Sequence, residues 1–252
     1  MTPAAEASAR PLETITPPML FSELHRGVLG QDKALRFVAA ERSSGVVAQP
    51  YEARIFETGE VPTRASSWHD LFNALAWLAY PRTKAALNRR HYEELGKRPG
   101  DPRRGTARDV LTLFDEGGVL VACAEPSLAA LLHAFRWKEL FWERRSDVRA
   151  RMRFHVFGHA ILENALALFR GVTAKALIVE ADDAAIAQPT DALNAMLDAR
   201  AAEYFELPDA LASTRSLAPL PILGIPGWTR ENEDPAYYDD AGQFRPGRRR
   251  RE

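Results

Sequence analysis

The feature that most constrains the fold is the apolar segment SWHDLFNALAWLAY at residues 67–80, which Pro81 follows directly. Between residues 65 and 81 the chain has no Lys, Arg or Glu, so a helix here has almost no solvent face. Ser67 is a suitable N-cap, Asp70 stands three residues later as in a capping box, and Pro81 ends the pattern. The sequence therefore predicts a largely buried helix over 67–80.

Three polar side chains, His69, Asp70 and Asn73, interrupt this apolar helix. At 100° per residue they share roughly 100° of arc with Trp77 and Tyr80. Because a buried polar group without a partner costs about 1–3 kcal/mol, His69 and Asn73 should meet polar groups inside the fold. Two interpretations stay open: the three groups serve only structure, with Asp70 as a local cap, or they form one wall of a pocket.

A second candidate group lies in the motif HVFGHAILE, where His155, His159 and Glu163 are four residues apart. The pattern predicts a helix through residue 169, on which the three side chains share about 80° of arc. Two of them can bind one metal ion or act as an acid–base pair. The motif lacks the Glu directly after the first His that zinc proteases use as a base. A hydrogen bond between His159 and Glu163 that serves only structure is the alternative.

A third candidate group is the pair Asp115 and Glu116 in DVLTLFDEGGVLVACAE. Runs of strand-forming residues flank residues 115–118, which predicts a hairpin with the two carboxylates at its turn. Adjacent carboxylates can bind a hard cation such as Mg²⁺, so the cofactor that the sequence suggests is a divalent metal ion. The alternative is that the Asp only forms the turn.

The rest of the chain predicts an α+β fold that is predominantly helical, with a small antiparallel hairpin and an irregular C-terminal segment. Strands are predicted at 118–123 and 176–182, and a strand followed by a turn at 51–64. Helices are predicted for the following segments: from residue 18, 32–44, 82–98, 126–148 and 190–205.

A chain of 252 residues without an internal linker predicts one globular domain over 17–228. Residues 1–16 are predicted to be a mobile N-terminal segment, and 229–252 an irregular segment that ends in a basic tail. Cys123 is the one cysteine, which excludes an internal disulfide framework and favours a buried thiol. No secretory signal or membrane span is visible, so we expect a cytoplasmic protein.

The formal net charge is −1, which argues against indiscriminate nucleic-acid binding, but the charge is unevenly distributed. Stretches 82–108 and 136–153 have an excess of Lys and Arg, whereas 171–209 has an excess of Asp and Glu. We therefore expect an anionic ligand at stretches 82–108 and 136–153. The alternative is that these charges are solvated helix faces, and nucleic acid stays an unproven partner. No membrane partner is expected, and the oligomeric state is not predicted.

Four motifs resemble a bacterial family known as domain of unknown function 3025: WHDLFNALAWLAYPRTKAALN, LTLFDEGGV, FGHAILE and PILGIPGW. The resemblance extends over residues 51–248 and implies a single-domain, cytosolic bacterial protein, with no particular activity. His155 lies just outside the matching motifs. Every other candidate residue lies inside them: His69, Asp70, Asn73, Asp115, Glu116, His159 and Glu163.

Two functional hypotheses follow, and the sequence leaves open whether the protein is an enzyme. In the first it is a hydrolase, metal-dependent or acid–base, acting on an anionic substrate such as a phosphoester or nucleic acid. His69 or His159 is then the base or a ligand, and the carboxylates bind a metal ion or orient a histidine. This hypothesis requires the three groups to converge in one cleft. In the second, the protein is a non-enzymatic binding or scaffold protein in which the same pairs are structural.

Overall fold

A computed structural model describes residues 28–29, 33–40, 49–64, 66–97, 105–167 and 170–247. The fold is α+β and mainly helical, as predicted. The main sheet has four strands in the order β6-β5-β7-β8. These are β5 (Gly118–Cys123), β6 (Met152–Val156), β7 (Thr173–Glu180) and β8 (Ala218–Pro221).

Strand β5 lies inside the sheet and is buried along its whole length, as its apolar sequence GVLVAC predicts. It pairs antiparallel with β6 and parallel with β7, while β8 pairs antiparallel with β7 at one edge. Val119 and Val121 point into one core and Leu120 into the other. The predictions of strands at 118–123 and 176–182 and of a buried Cys123 are therefore confirmed.

Helices cover both faces of this sheet. One face packs against α5 (Pro126–His133), a π-helical turn at Glu139–Glu143, α6 (Arg145–Arg151) and aromatic residues of the C-terminal segment. The other face packs against α3 (Pro81–Lys97), α4 (Thr106–Gly117) and α9 (Thr190–Glu206). The shorter helices α7 (His159–Asn164) and α8 (Asp183–Ile186) follow β6 and β7. Among the described residues, no helix is both long and apolar enough to cross a bilayer.

The N-terminal part forms a third, smaller core around helix α2 (Trp68–Ala79). Strands β3 (Arg36–Ala39) and β4 (Glu60–Thr63) pair in parallel, and α1 (Tyr51–Thr58) connects them. The two-residue strands β1 (Val28–Leu29) and β2 (Lys33–Ala34) precede them as an antiparallel pair. Buried Ile55, Val61 and Trp77 anchor this core. Helix α2 thus packs as the apolar segment at 67–80 predicts.

Two predictions in the N-terminal part are wrong. The helix expected at 32–44 is replaced by β2 and β3, because Leu35 and Phe37 are buried while Arg36 between them is exposed, which is the period of a strand. The segment from residue 51 begins as helix α1 instead of a strand. Gly59, at a φ of 73°, ends that helix, and its amide donates to the Ile55 carbonyl.

Two further corrections change where candidate residues lie. The hairpin at 115–118 is wrong, because the buried residues Val110, Leu111 and Phe114 have helical spacing and residues 106–117 form α4. Asp115 therefore lies in the last turn of a helix. The continuous helix from His155 is also wrong, since His155 belongs to strand β6 and α7 begins only at His159.

The helices predicted at 82–98 and 190–205 are confirmed, and the one at 126–148 is present as separate helical pieces. The C-terminal segment is irregular, with short 3-10 turns. Several predictions lie outside the described residues: the segment 1–16, the helix from residue 18 and the basic tail at 248–251.

Candidate functional site

The N-terminal turn of α2 anchors Asp70 at the end of β4. Ser67 caps the helix by accepting from the Asp70 amide at 3.2 Å. The Asp70 carboxylate accepts from the Arg64 amide at 2.7 Å and from the Arg64 guanidinium at 2.9 and 2.7 Å. Burial alone would raise the pKa of Asp70, but the hydrogen bonds from Arg64 lower it below its usual range. Asp70 is therefore ionised, and it holds the start of α2 against Arg64. Its carboxylate bonds to Arg64 and does not cap the helix as the sequence predicts.

A chain of three side chains connects α2 with α7. The His69 Nδ1 lies 2.9 Å from Glu163 Oε2, and the His69 Nε2 lies 3.1 Å from His159 Nε2. The two imidazole rings meet edge to face at 82°, with 4.4 Å between their centres. The His69 side chain is 39% exposed, whereas His159 is buried. The chain thus runs from the interior to the solvent.

Gly158 sets the position of His159. A Cβ at residue 158 would lie 2.4 Å from the carbonyl oxygen of Glu116 and 2.5 Å from the amide nitrogen of Gly118. Only glycine allows this close approach of α7 to the junction of α4 and β5. The approach brings His159 Nδ1 to 3.9 Å from Asp115 Oδ2.

A second polar chain meets the first at Asp115. The Lys84 ammonium is 4% exposed and donates to Asp115 Oδ1 at 2.6 Å and to Asn73 Oδ1 at 2.7 Å. It also lies 5.3 Å from the centre of the Trp77 ring. Asn73 Nδ2 donates to the Tyr51 hydroxyl at 2.7 Å. This chain holds together four helices, α1 to α4.

Burial and neighbouring charge define the ionisation of these groups. Burial would raise the pKa of Asp115, but the charge of Lys84 lowers it below its usual range, so the group is a carboxylate. Burial lowers the pKa of His159 to about 4, against a smaller opposing effect of Asp115. His159 is therefore neutral at pH 7. Burial and the charge of Asp115 raise the pKa of Tyr51, which keeps its proton.

Both chains line one cavity of about 370 Å³. Four of its lining residues, Trp77, Asn88, His91 and His159, are at most 8% exposed, yet each has a side-chain atom without a hydrogen-bond partner within the described part of the chain. These atoms are Trp77 Nε1, Asn88 Oδ1, His91 Nδ1 and His159 Nδ1. Buried polar atoms are nearly always hydrogen bonded, so the four mark positions where polar atoms of a ligand can bind.

The structure brings together most of the candidate residues. His69, Asp70, Asn73, Asp115, Glu116 and His159 line the cavity, and Glu163 contacts it through His69. Glu116 is exposed. His155 lies apart, and its Nδ1 contacts Asn194 Oδ1 at 3.2 Å. The convergence that the hydrolase hypothesis requires is present, while the roles of these residues stay predictions.

The metal site at Asp115 and Glu116 stays a prediction as well. Within the ranges that the structure describes, no three His, Cys, Asp or Glu side chains are grouped as metal ligands. The Lys84 ammonium already occupies one oxygen of the Asp115 carboxylate.

Sequence reasoning missed several polar residues of the cavity, among them Lys84, Asn88 and His91. They stand at i, i+4 and i+7 on α3, so a helical wheel would have placed all three on one stripe. That polar stripe lies on the side of α3 that is buried. A buried polar stripe, rather than acid and histidine pairs alone, is the signal that was available.

The two stretches predicted to bind an anion have many of their charges paired. In 136–153, the following six cations each contact an Asp or Glu: Arg136, Lys138, Arg144, Arg145, Arg149 and Arg151. Stretch 82–108 contributes Lys84 to the cavity, and Arg89, Arg90 and Lys97 form ion pairs. An anion at these stretches stays a prediction.

The fold and site define a class of protein: a mainly helical α+β domain with a buried acid–imidazole–lysine cluster at a cavity. The family model described as Protein of unknown function (DUF3025) matches residues 35–248, and the chain belongs to that family. No curated protein and no solved structure matches the chain.

Proposed function

We propose that the protein is a hydrolase that works by acid–base catalysis, in which His159 takes a proton from water and passes it through His69 toward Glu163. The observation that carries the proposal is the unbroken chain Glu163–His69–His159, which runs from the half-exposed surface to the cavity. The Glu163 carboxylate holds His69, and His69 in turn contacts the second nitrogen of the proposed base, His159, so a base–orienter arrangement is extended here by one imidazole.

We infer the tautomers of the two histidines by taking both rings as neutral. Two neutral imidazoles have two N–H groups between them. The contact with the Glu163 carboxylate requires the proton on His69 Nδ1, and the contact between the rings then requires the proton on His159 Nε2. His159 Nδ1 is then left as an unprotonated, buried nitrogen without a hydrogen-bond partner among the described residues, on a residue that lines the cavity. It is the atom of this chain that is available to accept a proton.

The buried surroundings of His159 favour the neutral ring, so in this proposal the protonated ring exists only during the reaction. The pKa of about 4, a result of burial, keeps the ring neutral at pH 7 before the reaction. When Nδ1 takes a proton from water, the new N–H faces Asp115 Oδ2 at 3.9 Å. The proton on Nε2 can move to His69, where Glu163 stabilises the positive charge. The water oxygen bonds to the substrate. As the bond to the leaving group breaks, the leaving group takes the Nδ1 proton of His159, and the shared proton returns from His69 to His159 Nε2.

In this proposal water is the nucleophile. Among the described residues the cavity lining contains no Ser or Cys, its hydroxyl groups are those of Thr112 and Tyr51, and Lys84 is held in an ion pair with Asp115. The Lys84 ammonium can stabilise negative charge that develops on the substrate. The lining carries four carboxylates, Glu52, Asp70, Asp115 and Glu116, against the two cations Arg64 and Lys84. This balance favours a neutral or cationic substrate over the anionic one expected from sequence.

The test is hydrolysis of a panel of chromogenic carboxylic esters, anilides and phosphoesters by wild type and three variants. His159→Gln and Glu163→Gln should lower kcat/KM at least about 100-fold, the usual contribution of a general base. His155→Gln is the matched control, because His155 lies outside the chain, and should keep wild-type activity. An inactive wild type, or turnover that survives His159→Gln, would overturn the proposal.

A scaffold role is the second candidate, and the chain Tyr51–Asn73–Lys84–Asp115 favours it. These groups hydrogen bond to one another and connect four helices, as a structural network does. If the whole cluster served structure alone, His159→Gln would leave buried polar groups without their partner. The melting temperature would then fall, because an unpaired buried polar group destabilises the folded state. The hydrolase proposal expects that variant to keep or gain stability, because residues tuned for catalysis are seldom optimal for folding.

A further inference from the structure

A second concave surface lies at the free edge of strand β8, and we call it the β8 groove. It has a volume of about 1060 Å³ and shares no lining residue with the candidate cavity. Its walls come from β7 and β8, from the turn after α5, and from the segments around residues 214 and 245. A volume of this size is at the upper end of small-molecule binding sites.

The charged side chains that line the groove are all positive. Lys175, Arg215 and Arg245 line it, together with His133, and no Asp or Glu does so among the described residues. None of the three fixed cations forms an ion pair within the part of the chain that the structure describes. This contrasts with stretch 136–153, where six cations are paired. Unpaired cations that converge on one cleft attract a ligand with several negative charges.

A buried side-chain amide in the groove has an oxygen atom without a hydrogen-bond partner among the described residues. Gln243 is 3% exposed, and its Nε2 donates to the Tyr237 hydroxyl at 2.6 Å. Its Oε1 has no hydrogen-bond partner in the described part of the protein. A buried amide oxygen requires a donor, so a ligand at this position should provide an N–H or O–H group.

The remaining wall is apolar. The half-buried ring of Phe135 packs edge to face with Trp137 at 5.6 Å, and Pro219, Pro221 and Pro246 also line the groove. Phe135 has a φ of 59°, a left-handed conformation that is rare for an aromatic residue. Such backbone strain persists where the surroundings fix it and is common at ligand sites.

The two prolines of β8 restrict the kind of ligand. Pro219 and Pro221 have no amide hydrogen, so the edge of the sheet cannot supply the regular ladder that an added strand needs. A ligand in this groove must therefore be recognised through side chains rather than as an extra strand.

We propose that the β8 groove binds a nucleotide, with its phosphates at Lys175, Arg215 and Arg245 and its base against Phe135 and the prolines. A nucleoside diphosphate combines the three required properties: several negative charges, a flat ring and amine donors for Gln243 Oε1. The groove is distinct from the candidate active site, so this inference stands independently of the proposed hydrolysis.

The test is calorimetric titration of the full-length protein with ADP, adenosine and pyrophosphate in turn. ADP should bind more tightly than either part alone, and its affinity should fall as salt rises. Arg215→Gln and Lys175→Gln should each weaken ADP binding about tenfold, as expected for loss of one charged contact. Arg200→Gln is the control, because Arg200 is exposed on α9 and outside the groove.

Three results would overturn the inference. The first is no binding of ADP at millimolar concentration. The second is equal affinity for pyrophosphate and ADP, which would remove the role of the apolar wall. The third is ADP binding that His159→Gln weakens and Arg215→Gln does not, which would assign the nucleotide to the candidate cavity instead.

Discussion

The Nε2 atoms of His69 and His159 lie 3.1 Å apart, although 90 residues separate them in the chain. Each belongs to a different helix, α2 or α7, and the two helices pack directly on one another. The contact joins a half-exposed imidazole, held by Glu163, to a buried one at the cavity. The proposed hydrolysis uses this contact to move a proton between the cavity and Glu163.

Acid should destabilise the protein through His159. Burial lowers its pKa in the folded state to about 4, whereas the unfolded chain has the ordinary value near 6.5. The unfolded state therefore binds the proton more strongly, and stability is lost as the pH falls from 6.5 toward 4. Between pH 7 and pH 5 this group alone should lower the free energy of unfolding by about 2 kcal/mol.

Urea unfolding at pH 7 and pH 5 measures this effect. His159→Gln should remove about 2 kcal/mol of the difference between the two pH values. Asp70 and Asp115, whose pKa values are lowered, contribute only at more acidic pH and do not interfere. An unchanged pH dependence in His159→Gln would contradict the assignment of a neutral, buried His159.

The ion pair between Lys84 and Asp115 should show strong coupling in a double-mutant cycle. Lys84→Met leaves the Asp115 carboxylate without its buried partner and should cost about 3–5 kcal/mol. Asp115→Leu should cost a similar amount because it leaves the ammonium unpaired. The double variant should lose clearly less than the sum of the two, as measured by urea unfolding. Additive losses would mean that the pair is not a buried unit.

Gly158→Ala should be costly because the added Cβ meets backbone atoms that cannot move aside. The contacts of 2.4 and 2.5 Å with Glu116 and Gly118 predict a loss of about 1–3 kcal/mol and displacement of His159. Gly96→Ala is the matched control, because residue 96 lies in α3 with nothing within 4 Å. That variant should be stabilised by about 0.5–1 kcal/mol. Equal thermal stability of the two variants would contradict this account of Gly158.

Local patterns in the sequence predicted the elements whose burial has a clear period. Helix α2, with its Ser67 cap, and strand β5, apolar throughout, are examples. The same reasoning failed where two periods compete. In residues 106–117, strand-forming Val, Leu and Phe residues follow helical spacing, and only packing against β7 and α3 decides for the helix.

The composition of the site was partly predictable for a related reason. An apolar helix with His69 and Asn73 on one arc indicated that partners exist inside the fold. The identity of those partners depends on tertiary packing, since Lys84 reaches Asn73 from another helix. Charge counts along the chain were less informative, because they do not show which cations are paired.

Nitrogen-15 NMR of the imidazole rings at pH 7 tests the central claim most directly. The account predicts that His159 is neutral, with its proton on Nε2 and a bare Nδ1, and that it titrates near pH 4. His69 should carry a proton on Nδ1, where Glu163 accepts it. A His159 that is protonated on Nδ1 at pH 7, or that titrates near 6.5, would contradict the proton path from the cavity to Glu163.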